Sequence, residues 1–69
     1  MMSKTDEVLT EEARKVSYAM IGYGGSFASN LGKALECADL ENTRKIFETW
    51  PEYWAKYMTM YQATSEREE

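Results

Sequence analysis

The pair Gly24-Gly25 limits what this chain can fold into more than any other feature. It lies in the string Gly22-Tyr23-Gly24-Gly25-Ser26-Phe27, which holds three of the chain's four glycines. Inside a helix each glycine would cost about 1 kcal/mol relative to alanine, so the pair reads as a break between two helical patterns. Glycine reaches positive φ without steric penalty, and a β-branched residue at Gly25 is expected to be strained on that account. Ser26 reads as the N-cap of the following helix, with Phe27 opening its apolar pattern. A glycine turn feeding a helix N-terminus also leaves backbone N–H groups and partial positive charge facing outward, which suits an anion. The plainer alternative is a tight interhelical turn. No Gly-Lys-Ser/Thr follows, so this is not a Walker loop, and no strand precedes it, so it is not a dinucleotide fingerprint.

The rest of the chain supplies helical stripes on either side. Leu9, Ala13, Val16 and Met20 recur at helical spacing, with Thr10 or Thr5 as the cap and an end near Ile21 or Gly22. A second helix is predicted from Phe27 to about Ala38, its apolar face formed by Phe27, Leu31, Ala34, Leu35 and Ala38. Gly32, Ala28 and Ser29 would allow a close crossing. Asp39 reads as the cap of a third helix, Leu40 to about Thr49, with Ile46, Phe47 and Trp50 buried. Arg44 and Lys45, near Glu41 and Glu48, read as its solvated side. Pro51 belongs in a first helical turn, and Thr49 and Glu52 have the spacing of a capping box, so a fourth helix runs to about Ala63. Strand signals are absent. The fold class is therefore all-α: one domain of three to four short helices, ordered over about 8–63 and frayed at both ends, the last two bent around Trp50-Pro51.

At 69 residues only about 60% of the unfolded surface can be buried, and small scaffolds of this kind commonly need an extra staple. Cys37 is alone, so no internal disulfide can form, and with no histidine no zinc site, metal or cofactor is expected. Self-association is the remaining route, and a homo-oligomer is expected. The net charge of −4 is concentrated at the ends: residues 1–12 carry −3, 65–69 carry −2, and 13–64 carry +1. No basic stripe is present, which argues against direct nucleic-acid binding. No apolar run approaches the roughly 20 residues of a membrane span, and no secretory leader is visible.

No catalytic residue stands out. Histidine, the commonest general base, is missing, and Cys37 reads as a buried packing thiol near the end of the second helix. The chain is read as a non-enzyme. Its unusual feature is aromatic density: Phe47, Trp50, Tyr53, Trp54, Tyr57 and Tyr61 fall within 15 residues. Phe47, Trp50 and Trp54 read as core. Tyr53, Tyr57 and Tyr61 recur every four residues and could hold a dimer contact, stack bases or dock a partner protein.

Tyr23-Gly24-Gly25-Ser26-Phe27, then Ala34-Leu35, Ala38-Asp39 and Asn42, then Trp50-Pro51-Glu52-Tyr53-Trp54 with Lys56-Tyr57, resembles a pattern of small proteins encoded by bacteriophages and prophages. Many of these have Phe where this chain has Trp50. The resemblance covers roughly residues 22–57. It implies a viral origin and the cytoplasm of a host cell, and carries no activity or residue roles with it. Two functions are expected from different classes. One is a phage counter-defence protein that sequesters an anionic, nucleotide-like host signal at Gly24, Gly25 and Ser26, with Tyr23 stacking on it or closing over it. The other is an inhibitor or adaptor acting on a host defence or replication protein through Tyr53, Tyr57 and Tyr61. The first calls for a preformed pocket with convergent N–H groups, the second for an exposed patch.

Overall fold

The computed structural model describes residues 4–67, and these form four helices: α1 (Asp6–Tyr23), α2 (Ser26–Cys37), α3 (Leu40–Thr49) and α4 (Pro51–Arg67). Residues 1–3 and 68–69, part of the frayed ends expected above, lie outside the described residues. Among the described residues no helix is long and apolar enough to cross a membrane.

α1 is the centre of the bundle and packs against all three other helices. Thr5 is its cap, its hydroxyl accepting from the Val8 N–H at 3.2 Å, and Asp6 and Glu7 lie in the positive first turn. Helix order thus begins earlier than the polar composition of residues 1–7 indicates. Leu9, Val16, Ala19 and Met20 form the buried stripe, and Ala13 flanks it.

The break falls where the glycine pair predicts it, but neither glycine has positive φ. Gly24 (φ −82°) ends α1, its N–H donating to Met20 O at 2.9 Å, and Gly25 (φ −74°, ψ −168°) precedes α2 in extended backbone. Strain at Gly25 is accordingly ruled out: any residue adopts that conformation. Ser26 is the first helical residue, not the cap. Gly25 takes the cap position and, having no side chain, leaves the helix without a side-chain cap bond.

α2 is rotated relative to the expected face. Ala28, Gly32 and Leu35 are buried, whereas Phe27 is 55% exposed and Ala34 is exposed. The cause is the close α1–α2 approach. A Cβ on Gly32 would stand 2.7 Å from Met20 Cβ and 3.1 Å from Ser17 O. Only the small-residue stripe fits against α1, and that turns Phe27 away. Cys37 ends the helix exposed, so the expectation of a packing thiol is overturned by the same rotation.

Asp39 caps α3 as its position predicts, accepting from the Asn42 N–H at 2.9 Å. Between α3 and α4 stands one residue. The Trp50 N–H donates to Ile46 O at 3.0 Å, closing α3, and its carbonyl accepts from the Trp54 N–H at 3.1 Å, opening α4. Its own backbone is non-helical (φ −128°, ψ 62°), as expected before a proline. With Trp50 at the cap and Pro51 first in the helix, Thr49 is one position too early to cap, and no Thr49–Glu52 capping box forms among the described residues. α4 continues past Ala63 to Arg67.

Phe47, Trp54 and Tyr57 complete the core, the Phe47 and Trp54 rings meeting edge to face at 5.2 Å between centroids. Trp50 is only half-buried. The indole N–H of Trp54 donates to Glu12 Oε1 at 2.9 Å, and the Glu12 carboxylate pairs with Lys4 Nζ at 3.0 Å. Arg44 Nη2 donates to Lys4 O at 3.0 Å and to Asp6 Oδ1 at 2.8 Å. Arg44 is therefore a tie between α3 and the start of α1 rather than part of a free solvated face. Glu12→Ala is expected to cost about 1 kcal/mol, because the partly exposed indole bond can pass to water. Urea unfolding of the variant beside the parent checks this.

Candidate functional site

The glycine turn and the α3–α4 elbow lie side by side. Phe27, turned out of the core by the small residues behind it, meets Trp50 edge to face at 5.9 Å and Tyr53 at 6.0 Å. Tyr53 stands 6.3 Å from Tyr57. Tyr23, at the end of α1, is 48% exposed. One end of the molecule thus presents aromatic rings from α1, α2 and the elbow around the turn.

The four residues expected to hold a ligand occupy different environments. Gly24 is crowded: a Cβ there would lie 2.6 Å from Ala28 Cβ, 2.6 Å from Met20 O and 3.2 Å from the Tyr57 hydroxyl. Its N–H already donates to Met20, so it is not a free donor. Gly25 is open, with nothing within 4 Å of a Cβ built on it, and Ser26 is exposed at the head of α2. Tyr23 borders a groove of about 720 Å³ lined by residues of all four helices, among them Tyr18, Ile21, Leu40 and Tyr61. That groove and two smaller cavities, of about 400 and 440 Å³, do not include Gly24, Gly25 or Ser26.

The three tyrosines of α4 do not form one outward row. Tyr57 is only 5% exposed and belongs to the core. Tyr53 is half-buried beside Phe27. Tyr61 is half-buried against Tyr18 of α1, with centroids 5.9 Å apart, and Lys15 Nζ lies 5.9 Å from its ring. α4 lies against α1 along much of its length, so every-fourth-residue spacing marks its packed side as readily as a free one.

Sequence reasoning missed Phe27 as a surface residue and Trp50 as its partner. The signal was present in Ala28 and Gly32. If those two face a neighbouring helix, Phe27 sits about 100° around the helix from Ala28. Among the described residues no group of three His, Cys, Asp or Glu side chains is placed to hold a metal ion. No family model, curated protein or solved structure matches the chain.

Proposed function

We propose that this is a non-enzymatic binding protein, a phage accessory factor that docks a host protein through the aromatic surface around its glycine turn. One observation carries the reading: Phe27 is 55% exposed while its ring is held against Trp50 and Tyr53. A large apolar side chain kept on the surface and braced by other aromatics matches the anchor residues of protein interfaces, where Trp and Tyr are enriched. The docking reading is favoured over an enclosed nucleotide-like ligand because the cavities described above bypass Gly24, Gly25 and Ser26. The absence of histidine from the chain supports a role without catalysis.

The test is a photocrosslinking residue placed at Phe27, with exposed Glu41 as the control position. A single host protein captured from position 27 alone is the expected result, followed by binding of that purified protein to the parent and at least tenfold weaker binding to Phe27→Ser. Crosslinking only to a second copy of the chain would replace the host partner with self-association. No adduct, or equal adducts at both positions, would overturn the reading. Phe27→Ser is expected to retain helix content by circular dichroism, since the side chain is mostly outside the core.

A further inference from the structure

We infer that the groove lined by all four helices is a second site, which takes a small molecule with a flat aromatic body and an anionic group. Phe27 and Trp50 do not line it, so it goes beyond the docking reading and does not depend on it.

The groove's volume, about 720 Å³, lies within the roughly 300–1,000 Å³ of small-molecule sites, which are lined mainly by apolar and aromatic side chains with a few placed polar groups. Three of its lining residues are tyrosines. Tyr18 is 62% exposed, Tyr23 is 48% exposed, and Tyr61 meets Tyr18 edge to face. Such rings offer a flat ligand surfaces to stack on or abut. Helical spacing gathers Arg14, Tyr18, Ile21 and Gly22 on one side of α1, away from the buried stripe of Leu9, Val16 and Met20. Gly22 keeps that side open. Nothing lies within 4 Å of a Cβ built on it, and Tyr18 stands about one turn before it on the same face.

Charge selects the kind of ligand. Lys15 lines the groove with its Nζ 5.9 Å from the Tyr61 ring centroid, and among the described residues it forms no ion pair. Arg14, also in the lining, reaches only Glu11, at 3.8 Å with both side chains mostly exposed, a pair worth little. Glu36 is the acid of the lining, and among the described residues it pairs with neither cation. Two cations against one acid leave the groove net positive. That disfavours the organic cations which tyrosine faces otherwise attract, and favours an anion. Lys15 is already held beside a tyrosine ring, so an anionic group carried on an aromatic body meets the charge and the rings together. Thr43, another lining residue, adds a hydroxyl with no hydrogen-bond partner among the described residues, whereas those of Ser17 and Thr59 donate to carbonyls earlier in their own helices.

The probes are anilinonaphthalenesulfonate, an aromatic anion, and phenylnaphthylamine, which keeps the rings without the charge. Each is titrated into the protein at physiological ionic strength and followed by fluorescence. Saturable binding of one anion per chain is expected, at least tenfold tighter than that of the neutral probe. Arg14→Gln combined with Lys15→Gln should remove this preference while changing the neutral probe less than twofold. Gly22→Gln places a side chain in the open space beside Tyr18 and should weaken both probes at least fivefold. It replaces a helical glycine with a better helix former, so the circular dichroism spectrum and melting temperature should not fall. Phe27→Ser should alter neither affinity, which keeps this site distinct from the docking surface. Equal affinity for the two probes, or a preference that survives the loss of both cations, would overturn the anion assignment. Binding that fails to saturate, survives in Gly22→Gln or disappears in Phe27→Ser would overturn the site itself.

Discussion

Replacing Trp54 with alanine is expected to remove about 3–5 kcal/mol of stability, more than any other single truncation considered for this fold. The side chain is 2% exposed, lies edge to face against Phe47, and holds the hydrogen bond to Glu12. Truncation opens a cavity between α1, α3 and α4 and removes the indole N–H that Glu12 accepts. A domain of this size has a total stability of roughly 3–10 kcal/mol, so the variant is expected to be largely unfolded at 37 °C. Thermal melting followed by far-ultraviolet circular dichroism checks it. Each kcal/mol corresponds to about 4–8 °C at this size, so a melting temperature within a few degrees of the parent would refute the core assignment.

The second large effect separates two adjacent glycines. Gly24→Ala is expected to destabilise by about 1–3 kcal/mol, because the added methyl would meet Ala28 Cβ and the Met20 carbonyl at 2.6 Å, and neither is the movable end of a long side chain. Gly25→Ala is expected to change stability by less than about 0.5 kcal/mol, since its Cβ meets nothing and its φ is already negative. Gly25→Val is likewise expected to fold, the reverse of what a left-handed turn would require. Paired urea titrations of Gly24→Ala and Gly25→Ala decide the matter: equal losses would mean that the close approach at Gly24 is not what the turn depends on.

Much of the architecture could be read from the chain because its signals are local. Asp39 caps α3, Pro51 opens α4, and Leu9, Val16 and Met20 share a buried stripe, each through residues within a turn or two of one another. The aromatic surface was harder to read because it depends on which side of α2 meets α1. Phe27 and Leu31 outweigh Ala28 and Gly32 in hydrophobicity, yet helix–helix distance favours the smaller pair, with Leu35 buried beside it. The ties of Arg44 to α1 and of Glu12 to Trp54 were illegible for a related reason: those partners lie 38 to 42 residues away, and nothing near them in sequence marks the pairing. Tyr57 lay in a spacing common to packed and free helix faces, and only the position of α1 resolves it.

The single residue between α3 and α4 has a consequence for recognition. Because Trp50 belongs to the hydrogen-bond ladders of both helices, the joint has no connecting segment to order when something binds. Phe27 is braced against that joint, and α2 is locked to α1 at Gly32. Ordering loops and side chains is a large part of what association normally costs, at about 0.5–1.5 kcal/mol for each flexible side chain immobilised. A surface whose rings are already held against a joint without slack avoids most of that loss. A chain of 69 residues could therefore bind tightly through a small contact area, with its affinity resting on rigidity more than on extent.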